Sequence, residues 1–282
     1  MSVRTAGIGV MALAVVSAVV LAGCGGDGPS KSSDVSVGVT GGDFHSLVAD
    51  PVTAGRLYVG GHASVARSDD GGTTWVPVDA LSGADAMGWA IQPDSIWVSG
   101  HPGLNVSVDG GATFERRNAG LPDSDVHAFG SDASTLYAAG PGIGVASSID
   151  AGVTWTVVSS DAGQAFFGRI LVDPADPAHL VAADAQNGAV ASVDGGRTWS
   201  ALGTAPVSWV SSTDGLTTIY ASGGPVSLRS RDGGGTWEPV EVPSGASLAE
   251  VGPDGTLYAG VHEGTAVAVW SSADAGQTWS RA

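Results

Sequence analysis

One cysteine and one lysine occur in 282 residues. A lone cysteine forms no internal disulfide, so the fold must be held by its core and its hydrogen bonds. Basic side chains are scarce as a class: Lys and Arg together number 11 against 28 Asp and Glu, a formal net charge of −17. That balance argues against nucleic acid and anionic lipid surfaces as partners, and it favours a soluble, monomeric domain. Convincing helical periodicity is also missing beyond the first two dozen residues. What abounds is Ala, Gly and Val, in short apolar runs separated by turn residues.

The exception is the N-terminus. Met1 to Arg4 carries one charge, Thr5 to Val20 is an almost unbroken apolar run, and Leu21-Ala22-Gly23-Cys24 follows. This arrangement resembles a bacterial lipoprotein signal, which implies that residues 1–23 are removed and that Cys24 is lipidated, with palmitate among the acyl chains expected. Residues 24–40, rich in Gly, Asp, Ser and Pro, would then be a flexible tether. Residues 41–282 would be one folded domain on the extracytoplasmic face of the cell membrane. A plain transmembrane anchor is the alternative, since the run is nearly long enough to span. Removing 1–23 takes away Arg4 and no acid, leaving 10 bases against 28 acids, a net charge of −18.

Within the domain one octamer recurs six times: SDDGGTTW (68–75), SVDGGATF (107–114), SIDAGVTW (148–155), SVDGGRTW (192–199), SRDGGGTW (230–237) and SADAGQTW (272–279). Its aspartates, Asp70, Asp109, Asp150, Asp194, Asp232 and Asp274, are 39, 41, 44, 38 and 42 residues apart. Six near-copies cannot all be one active site. Asp followed by Gly is a tight-turn signal, in which the carboxylate accepts local N–H groups and glycine supplies positive φ. The flanking Ser and Thr suit the same turn, and the closing Trp or Phe is a large apolar anchor.

Each turn is preceded by two strand-like runs, for example Phe44 to Ala49 and Leu57-Tyr58-Val59 in the first repeat. With the two arms of the hairpin, every repeat supplies four short strands, a to d. Four antiparallel strands every 40 residues or so predict an all-β, six-bladed β-propeller with four-stranded blades and an octamer in each c–d hairpin. Asp34 to Val39 offers one further strand.

The octamers resemble the Asp-box, or bacterial neuraminidase (BNR) repeat, of sialidases, sortilin-like receptors and some xyloglucanases. The chain is also similar to small exported propellers described as glycosyl hydrolase-like. The resemblance implies the fold and says little about activity, because the Asp-box lies away from the catalytic face even in the enzymes. A sialidase-like site needs a tyrosine nucleophile, yet Tyr58, Tyr137, Tyr220 and Tyr258 all fall at one repeat-equivalent strand position and therefore read as packing. A two-carboxylate glycosidase needs acids facing each other across a cleft. Asp43, Asp85, Asp125, Asp184, Glu250 and Glu263 are the acids near loops opposite the octamer turns.

In such a meander the a–b and c–d turns share one face, and the b–c and d–a connections share the other. His62, His101 and His262 each follow the start of strand b by five residues, in neighbouring blades once the ring closes. His45 and His127 sit near the start of strand a. The sequence therefore points to a ligand pocket rimmed by His62, His101 and His262, with His45, Met87, Trp89, His127 and Arg169 nearer its floor. Equivalent points on adjacent blades lie on the order of 10 Å apart, too far for one ion held by His62, His101 and His262 together, and no metal or cofactor is assigned. The expected function is a non-catalytic binding or scaffolding module for an envelope glycan, peptide or protein, with a glycoside hydrolase as the alternative.

Overall fold

The structure, a computed structural model, describes residues 43–132, 134–264 and 266–282. The signal segment, Cys24, the tether and the strand expected at Asp34 to Val39 lie outside the described residues. Among the described residues the chain is almost entirely strand and turn. The first sheet is β1 (Phe44–Ala49), β2 (Leu57–Gly61), β3 (Val65–Ser68) and β4 (Val76–Pro77). The second is β5 (Gly88–Gln92), β6 (Ser95–Gly100), β7 (Gly103–Ser107) and β8 (Glu115–Arg116). Next come β9 (Ala128–Ser131), β10 (Leu136–Gly140), β11 (Gly144–Ser148) and β12 (Thr156–Ser159). They share a sheet with β13 (Phe166–Asp173), β14 (Asp176–Asp184), β15 (Gly188–Ser192) and β16 (Ser200–Ala201). The last two sheets are β17 (Trp209–Ser211), β18 (Ile219–Ser222), β19 (Leu228–Ser230) and β20 (Glu238–Pro239), then β21 (Ala246–Val251), β22 (Leu257–Glu263), β23 (Ala266–Ser272) and β24 (Ser280–Arg281).

Six separate four-stranded units were expected; the structure has four such sheets and one sheet of eight strands, in the order β12-β11-β10-β9-β13-β14-β15-β16. The fusion has a local cause. β13 bulges between Phe167 and Ile170, where Gly168 sits at φ +72°, and this brings it beside β9 in a short parallel pairing of Gly168 with Ala128 and Arg169 with Phe129. Gly130, lacking a Cβ, lets the Ile170 carbonyl come in close. All other strand pairs are antiparallel.

The first strands of the second to sixth repeats touch in succession, and β1 meets β21, so the last repeat closes against the first. Apolar clusters fill the spaces between neighbouring sheets. One joins Leu47, Tyr58 and Trp89 with Leu248, Tyr258 and Val269, bridging the last, first and second repeats. The four tyrosines and Trp97 are buried, as packing residues should be.

The octamers form six near-identical turns. In each, the Ser hydroxyl donates to the Asp Oδ1 at 2.7–2.9 Å and accepts the N–H of the glycine four residues on at 2.8–2.9 Å. The Thr four residues after the Asp donates its N–H to Oδ1 and its hydroxyl to Oδ2. Hydrogen bonds from that threonine hold Asp109, Asp150, Asp194 and Asp274 down to a pKa of about 2. Gly71 and Gly233 donate their N–H groups to Gly55 and Thr217 in the a–b turns of the same repeats, and Gly195 donates to Ala178 near the start of β14. These bonds place both kinds of turn at one end of the sheets. Ser192 is buried and serves two backbone N–H groups, those of Asp194 and Gly196. Ser192→Ala is expected to cost about 1–3 kcal/mol by leaving the buried Gly196 N–H unbonded. Urea denaturation beside the exposed-site control Val193→Ala measures it.

Candidate functional site

Two features stand out, at opposite ends of the sheets. The first gathers histidines where b–c and d–a connections meet. Asp85, in the connection between β4 and β5, is almost fully buried. His45 Nδ1 lies 2.6 Å from its Oδ1, and His101 Nδ1 lies 2.9 Å from its Oδ2. His62 Nδ1 approaches the same Oδ2 at 3.7 Å. The other nitrogen of His101, Nε2, is 2.5 Å from Oδ1 of Asp125, and His127 Nε2 is 2.7 Å from that same oxygen. The result is an unbroken run of His127, Asp125, His101, Asp85 and His45. His45 and His62 meet edge to face, as do His101 and His127, and His127 also packs on Phe167.

The electrostatics follow from these contacts. Burial pushes the Asp85 carboxyl up, but hydrogen bonds from His45 and His101 outweigh it and hold the group below the usual carboxylate range. The hydrogen bond to Asp85 raises His101 above an ordinary histidine. Burial pushes His127 the other way.

The second feature is a cavity of about 610 Å³ at the octamer end. The a–b turns build its rim with Pro51 and Val52, Pro93, Pro174, and Ser212, Thr213, Gly215 and Leu216, joined by Pro177 at the start of β14. Gln92, Asp132 and Arg169 supply polar lining. Below it Arg169 Nη1 donates to Glu250 Oε1 at 2.7 Å, and the Trp209 indole N–H donates to Oε2 at 2.8 Å. Glu250 is fully buried, and that burial raises its pKa to about 7 against the pull of Arg169, Trp209 and the Ala49 N–H.

Of the residues singled out in the sequence, His45, His62, His101 and His127 come together. His262 does not: it lies within β22 opposite Val267, because β22 and β23 stay paired where the other b–c connections turn away. Met87 lines a hollow of about 230 Å³ with His45, Phe167 and Leu248. Trp89 is buried, with its N–H on Ser46 Oγ. It and Arg169 border the octamer-end cavity, away from the histidine end where they were expected. The large cavity thus opens on the face that the turn logic had set aside. Sequence reasoning did not single it out, although Pro51, Pro93 and Pro174 each stand two residues after the strand-a residue that pairs with the start of strand b. Asp85 and Asp125 had been placed on this face, but their pairing with the histidines was missed.

Asp85 and Asp125 flank one another with the His101 ring filling the gap between them. Asp184 is bonded to its own turn through Gln186 and Asn187, and Glu263 pairs with Arg281. Glu250, the carboxyl with a raised pKa, is sealed from solvent.

No family model and no curated protein matches the chain. Solved structures do. The GH74 xyloglucanase from Xanthomonas campestris superposes with a TM-score of 0.59 at 18% identity, over 86% of this chain and 45% of that one. A GH74 enzyme from Niastella koreensis gives 0.59 at 17%, over 85% and 45%. YCF48 from Cyanidioschyzon merolae gives 0.53 at 16%, over 85% of both chains. The chain therefore spans about 45% of the length of those two glycoside hydrolases. At such identities the likeness shows the fold, a β-propeller with four-stranded antiparallel blades.

Proposed function

We propose that the chain is an exported, lipid-anchored propeller of six blades, fastened by Asp-box turns, that binds an extended segment of an envelope protein without catalysing a reaction. In this reading the eight-stranded sheet counts as two blades joined at β9 and β13. Cys24 carries the lipid, and the strongly acidic domain stands off the membrane on its tether. The observation that carries the binding function is the cavity at the octamer end. Its volume of about 610 Å³ lies in the range of ligand sites. Prolines and aliphatic side chains line it, with Gln92, Asp132 and Arg169 for polar contacts. Its one aromatic lining residue, Trp89, is buried, so no exposed ring is on hand for a sugar to stack on. That favours a peptide over a glycan.

The glycoside hydrolase reading rests on fold likeness to enzymes that are about twice as long. A glycosidase of this kind needs two free carboxylates facing each other across an open cleft, and among the described residues Asp85 and Asp125 are instead joined through His101.

The full chain in detergent should bind members of a peptide library drawn from exported proteins, read by fluorescence anisotropy. Thr213→Trp, at the exposed rim of the cavity, should weaken that binding at least tenfold with no change in thermal stability. Hydrolysis of xyloglucan by the same preparation, or peptide binding indifferent to Thr213→Trp, would overturn the reading.

A further inference from the structure

We propose that His101 Nε2, Asp125 Oδ1 and His127 Nε2 form a three-ligand site for a divalent transition metal of the zinc class, with the fourth position open to solvent. One ligand atom from each of the three residues lies within 4.8 Å of the others. Two of the separations are much shorter: 2.5 Å from Asp125 Oδ1 to His101 Nε2 and 2.7 Å to His127 Nε2.

These approaches are not ordinary hydrogen bonds. Asp125 Oδ1 and His127 Nε2 are buried atoms without an aligned hydrogen-bond partner among the described residues. The tautomer of His101 sharpens the point. Its Nδ1 donates to Asp85 Oδ2 at 2.9 Å, so in the neutral ring Nε2 carries a lone pair aimed at a carboxylate oxygen. Lone pairs that close need a proton or a metal ion to join them, and a metal ion would serve all three atoms at once. Two imidazoles and a carboxylate are the donor set that zinc takes in open sites.

The surroundings match as well. A histidine that binds metal through one nitrogen usually donates the other N–H to a carboxylate, which fixes its orientation. Asp85 plays that part for His101, and His45 holds Asp85 in turn at 2.6 Å. His127 is held by its packing on Phe167. Donors on a tetrahedral zinc with bonds of about 2.0–2.1 Å stand roughly 3.3 Å apart, so Asp125 Oδ1 needs to part from each histidine nitrogen by only about 0.6–0.8 Å. His101 is half exposed and leaves a path for the ion.

The full chain, purified in detergent and stripped with a chelator, is titrated with zinc chloride by calorimetry and with cobalt chloride by visible absorption. One zinc per chain should bind, and cobalt should give the d–d bands of a low-symmetry site with nitrogen and oxygen ligands. His101→Gln, at a half-exposed position, and Asp125→Asn should each weaken zinc at least 100-fold. Asp85→Asn should weaken it about 10–100-fold, the range for outer partners. His62→Gln should change nothing. Circular dichroism confirms that each variant is folded, and if Asp125→Asn fails to fold, His101→Gln decides alone. No stoichiometric zinc binding would mean that a protonated His101 bridges the two carboxylates, and would overturn the proposal. So would affinity that is lost with His62→Gln and kept with His101→Gln.

Discussion

Arg169→Met is expected to lower the free energy of unfolding by about 3–5 kcal/mol at pH 8, the usual result of removing one partner from a buried ion pair. Glu250 cannot reach water: it is fully buried, with Arg169 on Oε1 and Trp209 on Oε2. Without the guanidinium, the fold must either bury an uncompensated anion or take up a proton. At pH 5 the proton is plentiful, so the loss should shrink. In the parent protein the same group has a folded pKa of about 7, above the usual carboxylate value of 4.5. The folded state therefore binds this proton more tightly than the unfolded chain does. The resulting stabilisation is complete below about pH 4.5 and fades as pH rises through 7, with a slope of up to about 1.4 kcal/mol per pH unit. The octamer aspartates act in the opposite sense. Their pKa values are depressed to about 2, so their contribution is present above the ordinary value of 3.8 and is lost as acid protonates them. Stability should thus peak between about pH 4 and pH 5. Urea melts across pH 3 to 9 measure this, and Glu250→Gln should flatten the alkaline limb while leaving the acid limb in place.

The octamers made the fold legible because each is a complete local instruction. Ser, Asp, Gly and Thr satisfy one another within eight residues, as the six copies show. Nothing distant is needed to read them. The histidine cluster was half legible. Counting from the start of strand b put His62 and His101 in equivalent connections, and counting along strand a did the same for His45 and His127. The count failed for His262, because β22 and β23 run on as a longer hairpin. It placed Asp85 and Asp125 on the same face, both 11 residues before the start of strand b, but a count along the chain does not say which side chains meet. The joining of β9 to β13 escaped for a related reason. It depends on one bulge at Gly168 and on how closely two inner strands approach, and no repeat pattern encodes that distance.

That approach sets up the other large effect. Gly130→Ala is expected to destabilise the fold by about 3 kcal/mol or more, beyond the ordinary cost of adding a methyl group to a packed core. A Cβ built on Gly130 would lie 1.8 Å from the Ile170 carbonyl oxygen and 2.9 Å from the Ile170 Cβ. Neither atom is the tip of a flexible side chain, so one strand must move. β9 is held on its far side by β10, where Gly130 pairs with Tyr137, and β13 is held by β14, where Ile170 pairs with Ala182. The yielding contact is the short parallel pairing between them. Its rupture would free the Gly168 N–H from the His127 carbonyl, a 3.1 Å bond, and draw His127 away from Phe167 and Asp125. Gly255→Ala is the control: its Cβ would meet nothing within 4 Å, and φ of +83° leaves only backbone strain, about 1–2 kcal/mol. Calorimetric melts compare the two, and hydrogen exchange at the Gly168 amide reports where the damage lies. If Gly130→Ala cost no more than Gly255→Ala and left that amide protected, the inner strands would not be packed against each other as described.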